Sequence, residues 1–127
     1  MARVEVCWRS TPDERRRIGS AVHAALVEVL KVPADDPTVM VIERDPDGVI
    51  APSKVCDRYT IVSVTMFSGR TSTAKRGLYA SLVRGLEACG IPASDVLTVL
   101  EELPMGNWGV DGGIPASETN VGFEVDV

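Results

Sequence analysis

The chain has 127 residues, 45% apolar and 24% charged, with a net charge of −5 and a pI near 4.8. That length favours one domain, 1–127, and lets roughly two-thirds of the unfolded surface be buried. The acidic balance argues against nucleic acid, which needs a basic face, and no apolar run approaches the roughly 20 residues that span a bilayer.

Residues 3–8 alternate, with Val4, Val6 and Trp8 on one side, and predict a short strand with one buried face. No basic-then-apolar leader precedes that strand. Thr11, Pro12 and Glu14 predict a capped helix start. Ile18, Val22, Ala25, Leu26, Val29 and Leu30 then form one helical stripe. His23 lies off that stripe, with no carboxylate or thiol partner evident, and reads as a packing or surface residue. Pro33 and Pro37 end the helix and lead into a second, well-buried strand over 38–42. Asp36 sits at its entrance, either as a turn residue or as a carboxylate at a site edge. Arg15, Arg16 and Arg17 stand beside Asp13 and Glu14 and read as a solvated helix face.

Residues 45–58, with Pro46, Gly48 and Pro52, form one long connection. A third strand follows over 59–67, then the turn Ser68-Gly69-Arg70-Thr71. A second helix presents Leu78, Leu82, Leu86 and Cys89 on one face and closes at Gly90. Residues 95–100 predict a fourth strand. Arg70 therefore falls at the carboxyl end of a strand, where ligands gather in open α/β sheets; the plain alternative is a surface charge at a helix start. The tail, 104–127, is glycine-rich around Trp108 and then alternates from Val121 to Val127, which predicts a further strand. Three scattered cysteines, Cys7, Cys56 and Cys89, with no Cys-X-X-Cys pair and one histidine, argue against a zinc site. They fit buried or incidental thiols in a reducing cytoplasm. Neither metal nor cofactor is expected.

The layout repeats. Residues 6–43 lie over 65–102 at an offset of 59, which brings Asp36 onto Asp95, Trp8 onto Phe67 and Val41 onto Leu100. Two β-α-β units, about 3–44 and 59–103, are expected to share one core. The fold class is then α/β in the α+β sense: a four-stranded mixed sheet, two helices on one face, and a C-terminal strand or hairpin.

Phe67-Ser-Gly-Arg70-Thr with Lys75, Leu78 and Tyr79, then Ile91-Pro92 with Asp95, Glu101 to Pro104, and Asn107-Trp108-Gly109 with Gly112-Gly113, resemble the tautomerase superfamily near malonate semialdehyde decarboxylase. The resemblance spans nearly the whole chain. It implies two fused β-α-β units, a homotrimer whose C-terminal segments reach across subunits, and a small 2-keto or enol carboxylate as substrate. It also implies roles. Arg70 grips the substrate carboxylate, for which a planar guanidinium is suited. Asp36 stands near the terminal amine, and Trp108 with Asn107 flanks the substrate. The resemblance departs in two places. The family's N-terminal proline is replaced by Ala2, and Ser68 and Gly69 occupy the place of a second arginine. A primary amine at Ala2 can still act as a base near neutral pH or condense with a carbonyl. If Met1 stays attached, the amine moves outward by up to about 3.5 Å.

Two further readings stand beside a weak tautomerase or decarboxylase-like enzyme. One is a non-catalytic oligomer of the same fold that binds a small carboxylate. The other is a ferredoxin-like regulatory domain, whose element order is the same. Arg44 and Arg58 are further cations whose access to the pocket the sequence leaves open.

Overall fold

The computed structural model describes residues 1–123. Four strands form one sheet in the order β2-β1-β3-β4: β1 (Ala2–Val6), β2 (Val39–Glu43), β3 (Thr60–Phe67) and β4 (Val96–Leu103). β1 runs parallel to β2 and β3 parallel to β4, while β1 and β3 are antiparallel. Helices α1 (Pro12–Leu30) and α2 (Ser72–Ala88) cover one face. A two-stranded hairpin, β5 (Gly109–Val110) with β6 (Ile114–Pro115), follows. This is the expected mixed sheet with two helices on one face and a C-terminal hairpin. The further strand expected over 121–127 does not begin in 121–123, and its remainder lies outside the described residues.

Local chemistry fixes each element. The Thr11 side chain accepts from the Glu14 N–H, and the Glu14 side chain accepts from the Thr11 N–H, closing a capping box. Thr71 caps α2 through the Ala74 N–H. Alternation in β1 and β3 sends Ala2, Val4 and Val6, with Val62, Val64 and Met66, onto Ile18, Val22, Leu26, Leu78, Leu82 and Leu86. The helices approach closely at Gly85, where a Cβ would stand a tight 3.3 Å from the Ala21 Cβ. The opposite sheet face carries Met40, Leu97, Val99 and Leu103, all more than a third exposed. Among the described residues, no helix is long and apolar enough to cross a membrane.

An offset of 59 carries β1 into β3, α1 around α2 and β2 into β4. The two halves use their shared aspartate differently. Asp95 is fully buried and accepts from the N–H groups of Cys56 (2.7 Å) and Arg58 (3.0 Å), tying down the long connection. Trp8 closes the same end of the sheet: its indole N–H donates to Thr60 Oγ1 (3.1 Å), and the Arg58 guanidinium lies 4.5 Å above its ring. The Asp95→Ala change removes the acceptor of the part-buried N–H groups of Cys56 and Arg58. It is expected to cost about 3 kcal/mol, read as a lower urea midpoint at unchanged slope. A change below about 0.5 kcal/mol would show that water satisfies those donors.

Candidate active site

The opposite end of the sheet is open. A cavity of about 370 Å³ lies between the C-terminal end of α1, the last turns of β3 and the segment after β4. Its lining includes Met1, Asp36, Thr38, Phe67, Arg70 and Trp108.

Arg70 reaches the cavity through a glycine-dependent turn. Gly69 takes φ +115°, in the region that favours glycine, and turns the chain back under the sheet edge. Arg70 is thereby 7% exposed rather than a surface charge. Its Nη1 donates to the Leu30 carbonyl at 2.7 Å. Leu30 is the last residue of α1, so this cation meets an otherwise orphaned carbonyl at the negative end of the helix dipole. The contact fixes the guanidinium in position, and the group still lines the cavity.

Met1 extends β1 by one ladder step. Its amine donates to the Thr65 carbonyl and its carbonyl accepts from the Thr65 N–H, both at 2.8 Å. The amine of Met1 is thus held at the cavity wall even with Met1 attached. Burial lowers its pKa from the ordinary 8.0, and the Asp36 carboxylate opposes part of that shift. The backbone nitrogen of Ala2 donates to the Thr38 carbonyl at 2.8 Å, one residue deeper. Its side chain is fully buried in the core.

Trp108 sets the opposite wall. Its indole N–H donates to the Leu103 carbonyl at 3.3 Å, and its ring stands edge-on to Phe67, 5.1 Å between centroids at 76°. Asn107 is exposed on the turn ahead of Trp108, outside the cavity lining. Arg44 pairs with Glu5 at 2.8 Å and Arg58 with Glu14 at 3.2 Å, and neither lines the cavity. The His23 Nε2 sits 2.7 Å from the Ala34 carbonyl, a packing contact at the turn after α1.

Sequence reasoning passed over Asp111, Thr119, Asn120 and Phe123, which also line the cavity. The one available signal was the Asn120-to-Gly122 turn chemistry ahead of Phe123. Burial raises the thiols of Cys7 and Cys89, so neither is a ready thiolate at neutral pH. Among the described residues, no group of three or more His, Cys, Asp or Glu is placed to hold a metal.

The chain can be set beside known proteins. The model of a family described as tautomerase enzyme matches residues 36–111, more than half of the chain and inclusive of Asp36, Arg70 and Trp108. Probable tautomerase RSp0893 of Ralstonia nicotianae is 38% identical over 58 residues, 45% of this chain and 81% of that protein. The crystal structure of FG41 malonate semialdehyde decarboxylase inhibited by 3-bromopropiolate superposes with a TM-score of 0.83 at 29% identity, covering 91% of this chain and 92% of that one. A fused 4-OT described as a wild-type symmetric trimer gives 0.83 at 26% identity, covering 91% and 95%.

The amine carries a pH signature. A base with a lowered folded-state pKa binds fewer protons folded than unfolded, so stability rises with pH between the lowered value and 8.0 and is flat above it. The amine is expected to titrate below 8.0, and the Asp36→Asn change to lower the midpoint further by removing the opposing charge. Reductive ¹³C-methylation followed by NMR across pH checks both signs. A midpoint at or above 8.0, or an upward move in Asp36→Asn, would contradict this account of the amine's surroundings.

Proposed function

The chain belongs to the tautomerase enzyme family, and on that premise we propose that it interconverts the enol and keto forms of a small 2-oxo carboxylate. The observation that carries this reading is one cavity lined by a fixed guanidinium and by the first residue's amine. In ketonisation of a 2-hydroxyalkenoate, a base removes the enol O–H proton, the C–O bond becomes a carbonyl, and the alkene carbon beyond gains a proton. No oxidant or metal is required by that balance.

Arg70 is the proposed holder of the carboxylate, through paired charge-assisted hydrogen bonds. The amine, at Met1 or at Ala2 after methionine removal, is the proposed proton carrier. Its lowered pKa increases the share held in the neutral, basic form over that of an unburied amine. Asp36 is proposed to steady the charged form during transfer, since its carboxylate raises the amine's proton affinity. Trp108 and Phe67 are proposed to exclude water along the carbon chain. The proton taken from the enol oxygen by the amine is proposed to be returned to the alkene carbon, and a decarboxylase-like outcome uses the same two groups. A homotrimer in the cytoplasm is proposed with it; the row of Met40, Leu97, Val99 and Leu103 on the uncovered sheet face supports an assembly.

A second reading is favoured by one observation. Ala2 stands where the resemblance places a proline, and a primary amine on a strand is a poorer base site than one preset by a ring. On that reading the cavity binds a small carboxylate without turnover.

The two readings part on kinetics. With phenylenolpyruvate as substrate, Arg70→Ala is expected to lower kcat/KM about 100-fold, the loss of roughly 2.7 kcal/mol of transition-state binding. Arg70→Lys, which keeps the charge but not the planar fork, should fall between Arg70→Ala and the parent chain. Ala2→Pro in methionine-processed protein should raise kcat. Ketonisation no faster with the parent chain than with Arg70→Ala would end the enzymatic reading. Carboxylate binding that persists in calorimetry would then leave the binding reading.

A further inference from the structure

The outer wall of the cavity is built by the chain's own tail. Ala116 is fully buried, and its N–H donates to the Trp108 carbonyl at 2.9 Å, which tethers the segment beside the hairpin. Beyond that tether the chain turns back. Gly122 takes φ +80°, a left-handed value suited to glycine, and its N–H donates to Asn120 Oδ1 at 2.9 Å. The turn brings the Phe123 ring onto Phe67, 5.9 Å between centroids at 17°, with the Arg70 guanidinium 5.7 Å from its centre.

We propose that residues 119–123 form a strap that screens Arg70 in the unliganded protein and gives way to an arriving carboxylate. The proposal rests on the reading of Arg70 as the carboxylate holder. With Arg70 only 7% exposed, its guanidinium cannot donate paired hydrogen bonds to a ligand until something over it moves. The Leu30 carbonyl beneath it is fixed by α1. Among the described residues, the Phe123 ring meets Phe67 in a stacked contact and the Arg70 guanidinium in a cation–π contact near the outer limit of its range. Paired hydrogen bonds between a guanidinium and a carboxylate are stronger than a cation–π contact at that distance. The ligand therefore competes for the same face of the same cation, and the ring is the group that yields.

The test is the rate of phenylglyoxal labelling at Arg70 in the full chain, read by peptide mass spectrometry. Arg58, at the other end of the sheet against Trp8, reports that the fold is intact. Phe123→Ala is expected to speed labelling at Arg70 about fivefold, with Arg58 unchanged, while Phe123→Tyr keeps the ring and the slow rate. Phe123→Leu serves as a second variant should alanine perturb the fold. An Arg70 rate unchanged in the alanine and leucine variants overturns the strap. Stopped-flow tryptophan fluorescence with (E)-cinnamate adds a second reading. Association should quicken in Phe123→Ala by a similar factor, whereas faster dissociation at unchanged association makes the ring a fixed wall and overturns the gate. Cinnamate that binds Arg70→Ala as tightly as the parent chain would end the carboxylate-holder reading, and the labelling rates would still decide the strap.

Discussion

The antiparallel pairing of β1 with β3 is the constraint on which the rest depends. Each half of the chain makes a parallel β-α-β unit, and only this ladder joins the two sheets into one. Because Ala2 pairs with Val64 and Met1 with Thr65, the start of the chain is carried to the carboxyl end of β3. Two residues beyond that strand Gly69 turns the backbone, and the next residue, Arg70, drops onto the end of α1. A parallel β1–β3 pairing would leave the amine and the guanidinium at opposite edges. The cavity is thus a consequence of strand direction before it is a matter of any side chain.

The same pairing makes two equivalent ends of the sheet, and the halves have treated them differently. At one end Trp8, Arg58 and Asp95 fill the space with an indole, a stacked cation and a carboxylate bound to two backbone N–H groups. At the other, the matching positions hold Phe67 and the exposed Asp36, and the space remains open. A buried carboxylate with each oxygen bound to a backbone N–H is a structural element. An exposed one beside an amine whose proton affinity it raises is available to chemistry. The contrast between Asp36 and Asp95 therefore separates the proposed site from a scaffold within one repeated design.

Much of this was legible in the residues. The alternation of Val4 and Val6, the capping box at Thr11 and the leucine stripe of α2 are local signals, and local signals place elements well. The offset of 59 marked out two β-α-β units that share one core. What the sequence could not show was direction and depth. Nothing near Arg70 in the chain announces that its partner is the carbonyl of Leu30, 40 residues earlier. Likewise, Asn107 and Trp108 are neighbours on one turn, yet only the tryptophan faces the cavity. Phe123 read as one position in a strand because alternation is the dominant signal there, whereas the turn at Gly122 redirects it onto Arg70. Tertiary contacts of that kind are set by the ladder and the helix ends.

The central claim is that the first residue's amine and the Arg70 guanidinium face a single ligand. It is tested most directly by NMR of the chain ¹⁵N-labelled at both nitrogens, titrated with an unreactive planar carboxylate such as (E)-cinnamate. One ligand between the two groups predicts that both resonances move along the same saturation curve, with one Kd. Movement of the Arg70 signal with the amine unaffected, or two different Kd values, would contradict a shared site.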